Sequence, residues 1–336
     1  MVKIGNIVLV DYKNDYEQIF SGERIVNDIK EIKNLLGGLE KYGLDEATLQ
    51  KAFDDTAKQL KTKTTVKESK AEALSEEDFL LLKSVVCPIC DNVFSSMAVK
   101  SGRARRMQPD FDLRPKFEAI DVNKYDVTSC RKCGYTALNK DFAHLTAGQM
   151  KLISEGVRKN FKLLDEGFSD KAPDYDTTIE RYKLALYNSM VKRAKISEKS
   201  YICLKIAWLF RGKIELLIKE SDLEAAKLAK IIEECKKEEL KFYGNAYDGL
   251  IEARSKESFP ICGMDTNTYE MLLAAMAFNL DKLDDASRFV STLLVSRTVN
   301  SGIKNRAIDL KEMILERRKE LRLFCSVPEQ SLHCIQ

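Results

Sequence analysis

Histidine is almost missing from this sequence: among 336 residues there are two, His144 and His333. Histidine is the commonest general acid–base group near neutral pH, so little capacity of that kind is present. The chain has no Ser/His/Asp set, no phosphate-cradling Walker loop and no H-E-x-x-H metalloprotease motif. It is therefore expected not to be an enzyme. Proline is scarce, with six residues, while charged residues reach 32%, a balance that favours solvated helices. No apolar run approaches the length of a membrane span, which argues against a transmembrane helix. The N-terminus lacks the charged-then-apolar pattern of a secretory signal. Cys334 stands third from the end rather than fourth, so the prenylation pattern is absent. These absences point to a reducing cytoplasm, where disulfides are rare. A charge excess is missing too: 55 Lys+Arg face 52 Asp+Glu, which does not suggest a global polyanion binder.

What the sequence does have is nine cysteines, four of them in two C-x-x-C pairs. Cys87-Pro88-Ile89-Cys90 is answered by Cys130-Arg131-Lys132-Cys133. A C-x-x-C turn puts both sulfurs on one side of a tight knuckle. Two facing knuckles make the four-cysteine tetrahedron that structural zinc prefers. Gly134 and Asp91 follow the pairs, where a knuckle often needs positive φ; Gly adopts it without strain and Asp tolerates it. Strand-like runs at 80–86 and 125–128 lead into the knuckles, as in a zinc ribbon. One structural Zn²⁺ per chain, on Cys87, Cys90, Cys130 and Cys133, is the expectation. A redox C-x-x-C would need a βαβ pattern that is not seen. Thirty-nine residues separate Cys90 from Cys130, against about 15–20 in the common spacing, so the ribbon carries an insertion. Cys203, Cys235, Cys262, Cys325 and Cys334 read as scattered buried or free thiols. With four cysteines available, His144 is not needed as a ligand.

The insertion opens with Lys100, Arg103, Arg105 and Arg106 and continues with Asp110, Asp112, Glu118, Asp121 and Asp126. One reading makes the basic arm a nucleic-acid contact. The plainer one pairs it with the acidic arm across a hairpin, since charge runs are usually solvated faces. Asp110-Phe111-Asp112 has the look of a Mg²⁺-type carboxylate pair, a weak signal alone.

Elsewhere the pattern is helical. Residues 1–60 read as an N-terminal strand and helical module, with Ile25, Ile29, Ile32 and Leu36 at helical spacing. Residues 61–79 are nearly devoid of large apolar side chains and read as a flexible linker. The ribbon occupies 80–145. From 146 to 324 successive apolar stripes predict antiparallel helices, and 325–336 a loose tail. Thr146…Gln149 and Ser221…Glu224 fit capping boxes. The first helix is expected to carry Met150, Ile153, Val157, Phe161 and Leu164 on one face. Pro173 and residues 258–263 mark breaks, and a long helix through Leu250 is expected to bend near Gly244. Residues 269–280 and 284–297 resemble a tetratricopeptide-like hairpin, with Ala274, Ala277 and Ala286 where helices approach closely. Lys282, Asp285, Arg288 and Arg297 are expected on its open outer face.

The segments CPICDNVFSSMAVKSG, DFDLRPKFEAIDVNKYDV, CRKCGYTAL and ERYKLALYNSMVKRAKISEKSYICLKIAWLFRGK resemble an uncharacterised bacterial family with a split ribbon ahead of tetratricopeptide-like helices. The resemblance covers about residues 80–320. It implies a bacterial origin and the four cysteines as metal ligands, and carries no catalytic set. The fold expected is mainly α with a small β zinc ribbon. The function expected is a non-enzymatic cytoplasmic adaptor that engages a protein partner through the helical repeats, whose twist makes concave surfaces. Nucleic-acid binding through Lys100, Arg103, Arg105 and Arg106 is the alternative, and a metal-dependent enzyme a second. No membrane contact is expected; a homo-oligomer stays open.

Overall fold

The structure is a computed structural model, and it describes residues 3–4, 7–8, 75–162, 172–221 and 223–325. The chain divides into two units, 1–73 and 74–336. In the first, strands β1 (Lys3–Ile4) and β2 (Ile7–Val8) pair antiparallel. The helices expected within 1–60, most of the 61–79 linker and the tail beyond Cys325 lie outside the described residues.

The second unit begins where the linker was expected to continue. Glu76–Phe79 form a short 3₁₀ turn. Phe79, the first large aromatic after the polar stretch, is buried against Ile120 and Tyr125. Strands β3 (Leu80–Val86) and β4 (Val93–Val99) follow, in register from Leu80 opposite Val99 to Val86 opposite Val93. A second hairpin pairs β5 (Val127–Ser129) with β6 (Thr136–Leu138). Each hairpin loop is one of the two C-x-x-C pairs, so both knuckles sit at strand ends.

Seven α-helices follow among the described residues: α1 (Ala147–Ile153), α2 (Tyr175–Val191), α3 (Ile196–Glu220), α4 (Ala225–Lys256), α5 (Thr266–Asn279), α6 (Leu283–Val295) and α7 (Ser301–Cys325). Neighbours in this series pack antiparallel. The Thr146 box forms as expected: the Gln149 N–H donates to Thr146 Oγ1 at 3.3 Å and the Thr146 N–H to Gln149 Oε1 at 3.1 Å. The Ser221 box does not form. Ser221 closes α3, its hydroxyl accepts from the Leu223 N–H at 3.2 Å, and α4 starts only at Ala225. The first helix is also shorter than its stripe suggested. After Ile153 the backbone widens into a π turn, Ser154–Arg158, which leaves Phe161 beyond the helix. Helix α4 passes Gly244 as one element, Ala225–Lys256.

Burial follows the periodicity. Helix α5 is enclosed on every side from Tyr269 to Ala277, as expected of a helix apolar all round. Ala274, Ala275 and Ala277 let it share a core with Ala286 and Val290 of α6 and Ala307 of α7. A second core joins ribbon to helices: Val127 of β5 and Leu138 of β6 pack with Ile179 and Tyr182 of α2 and Ile202, Ile206 and Leu209 of α3. Ribbon and helices therefore do not meet at a linker. Met190 of α2 is 58% exposed.

The insertion supplies the other junction. Its two arms run back along each other: the Met107 N–H donates to Lys116 O at 2.9 Å and the Glu118 N–H to Arg105 O at 3.1 Å. The tip, 110–114, enters the helical array. There Asp112 is 1% exposed and one of its oxygens accepts from Trp208 Nε1 (3.1 Å), Arg211 Nη1 (2.9 Å) and the Tyr243 hydroxyl (3.0 Å). Beside it Phe111 lies under the Arg306 guanidinium of α7, at 5.3 Å, and Arg306 Nη2 donates to Asp110 O at 2.5 Å. Arg114 is buried and pairs with Glu215 of α3. The expected pairing of Asp110 and Asp112 with the basic arm is thus not what forms. Lys116 takes Asp110 at 2.9 Å and Arg211 takes Asp112, because the tip acids point into the helices. Asp110 and Asp112 also do not converge with other ligands as a metal pair; the four cysteines are the one metal-competent group among the described residues.

Burial alone would raise the Asp112 pKa, but Arg211, Trp208 and Tyr243 outweigh it and hold the carboxyl below its ordinary value. A depressed carboxylate adds stability that is present above its unfolded pKa, about 3.9, and is lost as pH falls through the folded value. Asp112→Ala should cost about 3 kcal/mol, the lower end for breaking a buried pair, because Arg211 keeps Glu239 at 2.8 Å. Urea unfolding at pH 7 measures this, and the difference between wild type and variant should shrink below pH 4, estimated from the unfolded pKa of about 3.9.

Candidate metal centre

The two knuckles have the same backbone construction. In the first, the Asp91 N–H donates to Cys87 O and the Cys87 N–H to Asn92 O, both at 3.0 Å. In the second, the Gly134 N–H donates to Cys130 O at 2.9 Å and the Cys130 N–H to Tyr135 O at 2.8 Å. Asp91 and Gly134 occupy equivalent positions and both have positive φ, 55° and 74°. The turn dictates this conformation, and the residue types tolerate it.

The sulfurs of Cys87, Cys90, Cys130 and Cys133 all lie within 4.8 Å of one another. Cys87 Sγ is 3.5 Å from Cys133 Sγ, and Cys90 Sγ is 3.6 Å from Cys130 Sγ. A tetrahedron with metal–sulfur bonds of about 2.3 Å has edges of about 3.8 Å. The four donors therefore match a tetrahedral thiolate metal site. Cys87, Cys130 and Cys133 are fully enclosed and Cys90 is half-buried. No oxygen or nitrogen ligand joins them among the described residues.

The four thiols share charge unevenly. Cys130 is held down to about 2 by hydrogen bonds from Cys133 and Cys87. Cys87 is pushed up to about 12, chiefly by its hydrogen bond to Cys130, and Cys133 is driven far above the thiol range for the same reason. The cluster thus keeps charge on one sulfur at the expense of its neighbours. A divalent metal reverses that and holds all ligating thiols as thiolates.

Side chains from the helical region hold each knuckle in place. Arg158 Nη1 donates to Ile89 O at 3.3 Å. Asn188 of α2, fully buried, donates to Gly134 O at 3.2 Å and to Leu184 O at 2.9 Å. The Tyr135 hydroxyl donates to Phe142 O at 3.0 Å. Ile153 and Val157 pack on the cysteines. Gly134 is required twice: by its φ and because an added Cβ would stand 2.4 Å from the Phe161 ring. Arg158 and Asn188 gave no signal in the sequence, and Phe161, expected on the face of the first helix, instead lies beyond it against Gly134. Each lies far along the chain from the knuckle it serves.

The remaining candidates lie elsewhere. Lys100 Nζ donates to Asp78 O at 2.9 Å. Arg105 meets Glu118 at 3.9 Å, both well exposed. Arg103 and Arg106 are exposed and make no ion pair among the described residues. His144 is exposed and away from the sulfurs. Cys203 and Cys235 are buried, as expected, and Cys262 is half-buried. Burial raises Cys203 and Cys262 to about 11. The expected open face of the α5–α6 hairpin is partly engaged: Lys282 sits 4.4 Å above the Tyr247 ring, and Asp285 accepts from Tyr247 and Arg288. No helix among the described residues is long and apolar enough to cross a membrane.

A family model described as "Uncharacterized protein conserved in bacteria (DUF2225)" matches residues 80–314, the span from the first ribbon strand into α7. No curated protein and no solved structure matches the chain.

Gly134→Ala should destabilise the protein by about 1–2 kcal/mol from its φ alone, and by more if the Phe161 ring cannot move aside. Gly148→Ala in α1, where an added Cβ meets nothing within 4 Å, should be neutral or slightly stabilising. Urea midpoints of the two variants make the comparison.

Proposed function

The chain belongs to the DUF2225 family of proteins conserved in bacteria, and on that premise we propose that it is a non-enzymatic, cytoplasmic zinc-binding scaffold that engages a protein partner through its helices. The observation that carries this reading is the closure of the four-sulfur site. A catalytic zinc keeps a position for water or substrate, whereas four thiolates fill the tetrahedron. Cys87, Cys90, Cys130 and Cys133 are the ligands of one Zn²⁺ per chain. The ion's part is to fix the two hairpin loops against each other. Its loss should also disturb α2 and α3, since β5 and β6 share their core. The helical array supports the partner role: antiparallel neighbours stacked in series build extended surfaces suited to a polypeptide segment.

A second reading rests on the basic arm. Asp110 and Asp112 are committed to Lys116 and Arg211, so they do not neutralise Arg103, Arg105 and Arg106. Three exposed arginines on one arm suit phosphate contacts, and Lys100 stands at its base. Replacing Lys100, Arg103, Arg105 and Arg106 with Ala separates the readings. A nucleic-acid binder would lose affinity, and its salt slope would flatten by about 0.9 for each phosphate contact on a duplex. The scaffold reading expects no salt-sensitive binding to lose.

Protein isolated without chelator should contain one zinc per chain by elemental analysis, and Cys130→Ser should lose it. Cross-links to a native partner should fall on α3–α7 and persist after nuclease treatment. Cross-links confined to residues 80–138 would overturn the helical assignment.

A further inference from the structure

The two knuckles are enclosed to different degrees. In the second, Cys130, Cys133, Gly134 and Tyr135 are all buried. Helical side chains supply that cover: the Phe161 ring lies against Gly134, and Asn188 reaches the Gly134 carbonyl. In the first, Cys87 and Ile89 are buried, but Cys90 is only half-buried and Asp91 beside it is exposed. The strand residues that flank this knuckle, Val86 and Val93, are 60% and 64% exposed. Cys90 is therefore the least enclosed of the four ligands, on the less covered of the two hairpins.

A cysteine needs thiolate character and access to react with an oxidant. Cys87, Cys130 and Cys133 are 0% exposed and lack access. Cys203 and Cys235 are buried as well. Cys262 is half-buried like Cys90, but burial pushes its thiol up to about 11 and its Sγ donates to Ser197 O at 3.4 Å. It is thus protonated at neutral pH. A cysteine that ligates a divalent metal is held as the thiolate. Among these cysteines, Cys90 alone combines the two requirements.

We propose that Cys90 is an oxidation site, at which peroxide opens the metal centre. The inference rests on the zinc reading of the four cysteines and adds a route by which the ion leaves. The Cys90 thiolate attacks one peroxide oxygen, which gives a sulfenic acid and releases hydroxide. The Cys130 thiolate, 3.6 Å away, then attacks the Cys90 sulfur; a disulfide forms and a second hydroxide leaves. Two thiolates have lost two electrons, hydrogen peroxide has been reduced to two hydroxides, and two of the four ligands are gone. The hairpin loops are then untied, and the disturbance reaches α2 and α3 through Val127 and Leu138.

The test uses the zinc-loaded full chain, hydrogen peroxide as the probe and a chromophoric chelator that reads released metal, with peptide mapping by mass spectrometry at intervals. Zinc release should rise in step with a Cys90–Cys130 disulfide, and dithiothreitol with added zinc should reverse both. Iodoacetamide, which alkylates thiolates without oxidising them, should label Cys90 ahead of Cys87, Cys130 and Cys133 and release zinc as it does so. Cys90→His keeps a fourth zinc ligand that cannot form a disulfide, and should hold its zinc over the period in which the wild type loses it. Should that variant take up no zinc, the wild-type maps decide. Zinc release with Cys90 intact, first modification at one of the three enclosed cysteines, or zinc retained at peroxide levels that oxidise Cys262 would each overturn the proposal. A disulfide from Cys90 to Cys87 would overturn the step across the knuckles. Protein that isolates without zinc refutes the zinc reading, whereas zinc-loaded protein whose Cys90 is inert refutes this inference alone.

Discussion

A carboxylate cannot sit uncompensated in a protein interior, and Asp112 sits there. Its burial commits three helical side chains, Trp208, Arg211 and Tyr243, to one oxygen at the tip of a ribbon insertion. The commitment spreads outward. Tyr243 accepts from Asn279 of α5 at 2.9 Å, and Arg211 also holds Glu239 of α4. Arg306 of α7 closes over Phe111 from the other side. Asp112 thus ties the insertion to α3 and α4 and, through Tyr243, to α5, while Phe111 and the Asp110 carbonyl tie it to α7. The tie accounts for the wide separation of the two cysteine pairs: the residues between them form an arm long enough to reach the helical core and return.

The four sulfurs and the Asp112 cluster bracket the ribbon. The knuckles are fixed at one end by Arg158, Asn188 and Phe161, and the insertion is fixed at the other by Arg211 and Arg306. Between them Val127 and Leu138 lie in a helical core. A metal bound to the cysteines therefore acts on more than a small module. It would set where β5 and β6 lie, and through them the packing of α2 and α3. This makes the site a constraint on shape, in keeping with four soft ligands and an enclosed position.

What could be read from the sequence was what the chain encodes over a few residues. The C-x-x-C spacing, the positive-φ positions Asp91 and Gly134, the Thr146 capping box and the apolar stripes of α5 to α7 are of this kind. What could not be read was decided by partners far away. The acids of the insertion looked ready to pair with the adjacent arginines, but Arg211, about a hundred positions on, takes Asp112. Ser221 carried a capping-box pattern, yet its position was already spent ending α3. The polar run before the ribbon looked like linker through residue 79, but Phe79 is buried against Ile120 and Tyr125 and Glu76 pairs with Lys124. Glu270, 3% exposed beside Arg254, gave no signal of burial, because a single glutamate in a helical stripe reads as solvated until its neighbours enclose it.

Ribbon, insertion and helices form one cooperative structure. The single tryptophan, Trp208, stands at the Asp112 junction and reports that interface directly. Denaturant unfolding of the zinc-loaded protein, followed together by Trp208 fluorescence, far-ultraviolet circular dichroism and release of metal to a chromophoric chelator, tests the claim. Coincident transitions in all three signals are the predicted result. Metal release that is complete while fluorescence and helical signal remain native would show the ribbon to be a separable module, and would contradict it.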